Sequence, residues 1–312
     1  MPSERTTQHS PLTAHQFGGI WPAMLTPLTE SGEIAHEQIE RLVELFVKQG
    51  LGGLYVLGST GQWPMLRLDQ RMAAAERIVK TAAGRIPVMV HVGAVVTDDG
   101  VALAQHAAKI GADAVSCVTP IYYAASPDVT FEHYRRIGAA SELPLFIYHL
   151  SYVNQLTIGP REYAERILAL PHIGGMKITD RDLYQFGLIH VHSQDRLQLF
   201  SGADELMCHA ALSGAIGAIG TFYNVWGPVC QAARQKFVAG SFETGRRFML
   251  TFQNVIGEVL QSGASWGFLR SAMRIKYGIE IGPPRPPLGM LEKPWKDAEV
   301  ERLLAAVDET IQ

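Results

Sequence analysis

The sequence predicts a (β/α)8 TIM barrel with a C-terminal helical appendage, and three observations carry that expectation. Eight short Val/Ile/Leu/Ala-rich runs alternate with longer amphipathic stretches, at roughly 20 to 35 residues per unit, the length a strand-helix repeat needs. The runs are apolar throughout, not alternately polar, as in a parallel sheet covered on both faces. Glycine also ends a helix before a strand in two places that echo each other, Lys48-Gln49-Gly50-Leu51-Gly52-Gly53 and Lys109-Ile110-Gly111-Ala112-Asp113-Ala114.

In chain order the expected strands are Gly19 to Leu25, Gly53 to Leu57, Pro87 to Val92, Ala114 to Val118, Leu145 to Tyr148, Ile173 to Lys177, Leu197 to Phe200 and Ala215 to Thr221. Between the first two, Ile39, Leu42, Val43 and Phe46 follow the i, i+3, i+4, i+7 spacing of a helix that buries one face, and similar segments fill the other gaps. The eighth helix is expected over Val225 to Ala239. Helical segments follow around Phe242 to Leu260, Ser265 to Tyr277 and Ala298 to Thr310, the last two separated by the stiff Gly282-Pro283-Pro284-Arg285-Pro286-Pro287 connector. The expected organisation is a mobile N-terminal tail over 1–17, a catalytic barrel over 18–240 and a helical extension over 241–312.

Composition bounds the function. At 312 residues, 47% hydrophobic and 18% charged, the chain can bury a large core, and a net charge of −3 gives no reason to expect nucleic acid or an anionic membrane as partner. A small-molecule substrate fits better. No apolar stretch approaches the ~20 residues of a membrane span, and Met1 to Gln16 is polar, so a cytoplasmic protein is expected. Cys117, Cys208 and Cys230 form no CxxC pair and sit in apolar surroundings, as buried reduced thiols do.

Lys177 is the most informative residue. It ends the apolar run Ile173-Gly174-Gly175-Met176-Lys177, where desolvation of an ammonium is costly, so its pKa should fall and the nucleophilic amine become accessible. The other reading is a lysine that snorkels to solvent. Lys48, Lys80, Lys109 and Lys236 lie in polar, helix-like stretches where a solvated surface suffices. In a barrel the chemistry gathers at the C-terminal strand ends. There Gly58-Ser59-Thr60-Gly61-Gln62 is either a carboxylate-binding turn or a connector, and Tyr148 either a proton relay or a packed phenol. Asp204 and Glu205, in Ser201-Gly202-Ala203-Asp204-Glu205, either bind substrate hydroxyls or cap the next helix. His190 and His192 lack a third ligand at a telling spacing and read as a solvated helix end near Asp195. Gly214, Gly217 and Gly220 lack a GxGxxG or GK[ST] context and read as thin strand packing, so neither metal nor cofactor is expected.

Together Gly58-Ser59-Thr60-Gly61, Thr119-Pro120-Ile121-Tyr122-Tyr123, Ile147-Tyr148-His149 and Gly175-Met176-Lys177-Ile178-Thr179 resemble, from about Gly18 onward, the dihydrodipicolinate synthase/N-acetylneuraminate lyase family of pyruvate-dependent class I aldolases. The resemblance implies that Lys177 forms the Schiff base, that Tyr148 relays the proton, and that Ser59 and Thr60 bind the keto-acid carboxylate. It further implies that Tyr122 reaches the relay from a neighbouring subunit, in a homotetramer built from dimers. Substrates would be pyruvate with an aldehyde, or a 2-keto-3-deoxy sugar acid.

Within the family, dihydrodipicolinate synthases carry an arginine after the relay tyrosine where Tyr148-His149-Leu150-Ser151-Tyr152-Val153-Asn154-Gln155 has Val153, read as a buried valine. Gly202-Ala203-Asp204-Glu205 resembles the polyol-binding run of the sialic acid lyases. Thr179 with Asp182-Leu183-Tyr184-Gln185, and Thr221 in Gly220-Thr221-Phe222-Tyr223-Asn224, point the same way. Two departures, Gln62 for the usual glutamate and Ser151 for the usual proline, are expected to alter the pocket. The leading expectation is cleavage of a sugar acid such as N-acetylneuraminate between C3 and C4. The alternatives are a 4-hydroxy-tetrahydrodipicolinate synthase, another keto-acid aldolase or dehydratase, and a catalytically silent keto-acid-binding barrel.

Overall fold

Every apolar run forms a strand, and every amphipathic stretch after it forms the helix that covers it. The computed structural model describes residues 17–123, 125–153 and 157–311, so the expected tail lies almost wholly outside the described residues. Strand β1 (Gly19–Pro22) leads to helix α1 (His36–Lys48), β2 (Leu54–Val56) to α2 (Leu68–Ala82), and β3 (Val88–His91) to α3 (Thr97–Lys109). The order continues with β4 (Ala114–Val118) and α4 (Pro127–Gly138), β5 (Leu145–Leu150) and α5 (Pro160–Leu168), and β6 (Ile173–Thr179) and α6 (Leu183–Ser193). It ends with β7 (Gln198–Ser201) and α7 (Met207–Leu212), then β8 (Gly217–Gly220) and α8 (Tyr223–Val238). Helices α9 (Phe242–Gln261), α10 (Ser265–Tyr277) and α11 (Asp297–Asp308) follow.

All strand pairs are parallel, in the order β1-β8-β7-β6-β5-β4-β3-β2. The circle closes between β1 and β2, where Gly52 N donates to Ile20 O (2.9 Å) and Met24 N to Tyr55 O (2.8 Å). On α1, Ile39, Leu42, Val43 and Phe46 are all buried against the outside of the barrel, each contributing about 2 kcal/mol of apolar burial. Gly50 and Gly111 adopt φ of +63° and +83°, the left-handed turn that lets the chain leave a helix and enter the next strand.

Aromatic rings fill the lower barrel. Trp21 meets Phe200 edge-on at 5.6 Å and Phe146 meets Phe200 at 6.1 Å. Phe17, assigned by the sequence to the mobile tail, is instead buried against Trp21 and Phe146 as the plug of this layer. The glycines around it make room for rings. A Cβ on Gly53 would lie 2.4 Å from Trp21, and one on Gly217 would lie 2.7 Å from Phe200.

Strands β5 and β6 run two residues past their expected ends, because His149 and Leu150 continue to pair with Ile178 and Thr179. Their register also breaks near the start, where Leu145 pairs Ile173 but Phe146 pairs Gly175, leaving Gly174 as a bulge. Ile173, Met176 and Ile178 all pack outward on the main core. The bulge therefore shifts the alternation of β6, so that Gly175, Lys177 and Thr179 face the barrel interior. A Cβ on Gly174 would lie 2.9 Å from the Phe146 ring, and one on Gly175 would lie 2.0 Å from Gln198 O. The glycine pair before Met176 is what this bulge requires.

The proline-rich connector docks back on the barrel. Arg285 N donates to Gln62 Oε1 (2.8 Å), and its guanidinium donates to Gln70 Oε1 (3.0 Å) and to Gly32 O. Gln62 is thus a buried anchor for the C-terminal segment in a left-handed turn of φ 59°. This corrects the expectation that it alters the pocket: its side chain is committed to Arg285. No helix among the described residues is long and apolar enough to cross a membrane.

Candidate active site

The strand ends of β2, β5, β6, β7 and β8 converge on Lys177. The lysine is 4% exposed, and burial pushes its pKa down to about 7, with the Asp204 carboxylate pulling the other way. The snorkelling alternative is thereby excluded. Tyr148 is the register neighbour of Lys177 on β5, so both side chains project inward at one height. The amine lies 4.4 Å from the Tyr148 ring centroid and 4.4 Å from that of Tyr55. Tyr148 is itself buried, which raises its pKa, while the Ser59 and Thr179 hydroxyls beside it pull it down. The Thr179 hydroxyl is buried without a well-formed hydrogen bond, a polar atom aimed into the site with capacity to spare.

Backbone economy keeps the space around the amine open. A Cβ on Gly202 would lie 1.9 Å from Thr179 Oγ1 and 3.0 Å from Lys177 Cε, so glycine alone fits between β6 and β7 here. The Gly58 turn closes over Tyr55 in the same way, its Cβ position lying 2.4 Å from that ring. From this turn Thr60 reaches across the barrel mouth to Thr221, hydroxyl to hydroxyl at 2.7 Å. Ser59 is exposed, with its hydroxyl beside Tyr148.

Asp204 is buried, with a carboxylate oxygen accepting the backbone N–H of Phe222 at 2.6 Å. Burial pushes its pKa up to about 7 against the pull of the Phe222 and Thr221 amides and of Lys177. It joins the end of β7 to the start of α8, and a Cβ on Gly220 would strike its Oδ1. Glu205, by contrast, is partly exposed and 4.0 Å from the Arg181 guanidinium at the rim. Asp182 accepts from Gln185 N (2.9 Å) and caps α6.

A cleft of about 460 Å3 opens above these groups, within the range of small-molecule sites. Ser151, Thr179, Asp180, Arg181, Glu205 and Thr221 line its polar side. Tyr152, Phe222, Ile256 and Leu260 line the apolar one, so α9 of the C-terminal extension shapes the mouth of the barrel.

Tyr122 is the predicted site residue that the fold does not bring to Lys177. It is 89% exposed, holds a φ of 77° and packs edge-on against Tyr123 at 5.0 Å. Val153 is half-buried, not buried as expected, and packs toward Trp63, Val118 and Tyr148. Asn154 and Gln155 lie outside the described residues. Three buried residues are not singled out individually by the sequence. Tyr55 and His91 line the chamber below the amine, and Asn224 ties the start of α8 to the first loop by donating to Ala23 O (2.7 Å) and accepting from Leu25 N (3.1 Å). His91 is held neutral by burial and by the Arg71 and Lys177 cations. Nothing in its local sequence announces this, because residues on strands three units apart meet only when the barrel closes.

Other polar groupings are structural. Cys117 Sγ lies 3.4 Å from His133, but burial pushes that thiol up out of the physiological range and the imidazole down to about 4, leaving both neutral. His190, expected at a solvated helix end near Asp195, lies at the end of α6 with Nε2 3.3 Å from Asp195 Oδ1 and is partly buried. No cluster of three or more potential metal ligands occurs among the described residues.

A parallel eight-stranded barrel with a desolvated amine and a cleft at its C-terminal face is a (β/α)8-barrel enzyme. The chain belongs to the Dihydrodipicolinate synthetase family, whose family model matches residues 16–307. It is 34% identical over 275 residues to the N-acetylneuraminate lyase of Rhizobium meliloti (strain 1021), covering 88% of this chain and 90% of that one. It is 31% identical over 283 residues to the N-acetylneuraminate lyase of Escherichia coli (strain SMS-3-5 / SECEC), covering 90% and 94%. The structure matches the N-acetylneuraminate lyase of Mycoplasma synoviae with a TM-score of 0.84 at 26% identity, over 95% of this chain and 98% of that one. The fold is shared with the wild-type sialic acid aldolase of Ruminococcus gnavus, with a TM-score of 0.89 at 24% identity over 95% and 98% of the two chains.

Proposed function

We propose that the protein is a carbon–carbon lyase, a class I aldolase that cleaves N-acetylneuraminate or a related 2-keto-3-deoxy sugar acid to pyruvate and an aldehyde sugar. The observation that carries this is Lys177, a buried amine with a pKa of about 7, beside Tyr148 and below a cleft lined by hydroxyls and carboxylates. The N-acetylneuraminate lyase relatives supply the substrate class.

The neutral amine attacks the C2 carbonyl. Loss of water with uptake of one proton leaves an iminium, which draws in the electrons of the C3–C4 bond and becomes an enamine as the aldehyde departs. Tyr148 takes the C4 hydroxyl proton while passing its own toward Ser59, which is exposed and leads to solvent. Protonation of the enamine at C3 and hydrolysis by water release pyruvate and restore the amine. Ser59 and Thr60 hold the keto-acid carboxylate, Thr60 being oriented by Thr221. Thr179, Gly202, Asp204, Glu205 and Thr221 form the wall for the sugar hydroxyls, with Glu205 the exposed acceptor and Asp204 the buried one. The residue division at 240 separates the catalytic barrel from an extension whose α9 closes the sugar end of the cleft. In this reading the enzyme works in the cytoplasm as a homotetramer, a dimer of dimers in which the exposed Tyr122 reaches the relay of its neighbour.

Borohydride treatment with pyruvate, followed by peptide mass mapping, is expected to place the adduct on Lys177, and N-acetylneuraminate is expected to release pyruvate. Turnover of aspartate semialdehyde with pyruvate, and of no sugar acid, would overturn the substrate class. A pH profile tests the electrostatics. Because the free amine is the reactive form, kcat/KM should rise through about pH 7, not near the ordinary lysine value of about 10.4. Asp204 favours the ammonium, so Asp204→Asn should move this acid limb to lower pH. An unmoved limb would remove Asp204 from the control of Lys177.

A further inference from the structure

Tyr55 lies in the barrel where no substrate atom can reach its hydroxyl. It is fully buried, its hydroxyl is engaged with Ser116 Oγ at 3.1 Å, and the Gly58 turn presses on its edge. What it offers the site is its face, 4.4 Å from the Lys177 nitrogen. The Tyr148 ring stands at the same distance, and the two rings meet at 76° with centroids 6.2 Å apart, so the nitrogen sits in a corner between two π faces. Tyr148 has a second duty at its hydroxyl; Tyr55 has none.

We propose that the Tyr55 ring is the electrostatic platform of the Schiff base, a cation–π surface that stabilises the iminium relative to both the free amine and the enamine. This rests on the reading of Lys177 as the Schiff-base residue. The charge balance of the reaction gives the reason. Amine plus ketone plus one proton becomes iminium plus water, so a fixed positive charge appears on a nitrogen that retains one N–H and is cut off from solvent. Breaking the C3–C4 bond then returns an electron pair and the charge disappears. A neutral amine or enamine gains little from a ring quadrupole, whereas a desolvated cation over a face gains most. The other charge acting on Lys177 is Asp204, itself pushed up to about 7 and committed to the Phe222 amide. An aromatic face supplies stabilisation that carries no proton and survives across the working pH range.

The test holds shape constant while changing the quadrupole. Tyr55→Phe is the reference, and phenylalanines with increasing numbers of ring fluorines are incorporated at the same position. For each protein the Lys177 adduct formed with limiting pyruvate and borohydride is quantified alongside kcat/KM. The expected result is a stepwise decline with fluorination, reaching about 10-fold in the apparent pyruvate affinity for the fully fluorinated ring. A purely packing role predicts a flat series, and a flat series with a normal wild-type adduct overturns the proposal alone. A wild-type protein without an adduct on Lys177 overturns the Schiff-base reading itself. Should Tyr55→Phe fail to fold, fluorinated tyrosines, which keep the Ser116 contact, carry the same series and the same two outcomes.

Discussion

Lys177→Ala is expected to abolish turnover, with a loss of at least about 10⁴-fold in kcat/KM, since the covalent route disappears with the amine. No other lysine stands in for it: Lys48, Lys80, Lys109, Lys236 and Lys276 lie on helices, and Lys293 and Lys296 in the segment before α11, all outside the barrel interior. The alanine also leaves a void between the Tyr55 and Tyr148 rings, which by itself would disturb the site. Lys177→Met separates the two effects, because an unbranched apolar chain fills the void and removes a desolvated charge. It should fold with a Tm near that of the wild type and be equally inactive. Pyruvate release and borohydride mass mapping read the result. Turnover within tenfold of wild type in Lys177→Met would remove the lysine from the chemistry.

Tyr148→Phe is expected to lower kcat by about 10² to 10⁴-fold, the range for loss of a proton-transfer group, with KM much less affected. The ring itself remains beside the amine, so the Lys177 adduct with pyruvate should still form. That combination, trapping without cleavage, is the signature that divides relay from platform. Loss of trapping together with kcat would assign Tyr148 to Schiff-base formation, and a near-normal rate would remove it from the mechanism. The pKa shift adds a sign: burial holds the phenol protonated at neutral pH, so it acts only if its proton can leave as another arrives. Ser59→Ala should then slow the same step, and because Ser59 also holds the keto-acid carboxylate it should raise the pyruvate concentration needed for the adduct.

Much of this arrangement is legible in the chain. Apolar runs covered by amphipathic helices leave few folds other than a parallel barrel, because continuous hydrophobic strands need cover on both faces. The motifs at the strand ends are local in sequence, so Ser59, Thr60, Tyr148, Lys177, Thr179 and the Gly202–Glu205 run stand out from residue order alone. Residues whose role depends on distant partners do not. Gln62 reads as a pocket residue because it follows the glycine turn, yet it holds Arg285, 223 positions away. Tyr55, His91 and Asn224 read as ordinary strand and helix residues until barrel closure places them against Lys177 and the first loop.

The sequence alone determined the strand-helix repeat and singled out Lys177 as the amine on which the proposed mechanism turns. Only the tertiary structure decided which way that amine points. Strict alternation from the outward-packed Ile173 would turn Lys177 toward the helices, and the bulge at Gly174 reverses it. That bulge is open to glycine alone, because the Phe146 ring and the Gln198 carbonyl occupy the space a side chain would take at Gly174 and Gly175. Neither contact can be inferred from the order of residues, since both arise only when neighbouring strands lie side by side. The same closure removes water from the amine, and desolvation is what turns an ordinary lysine into a nucleophile at neutral pH.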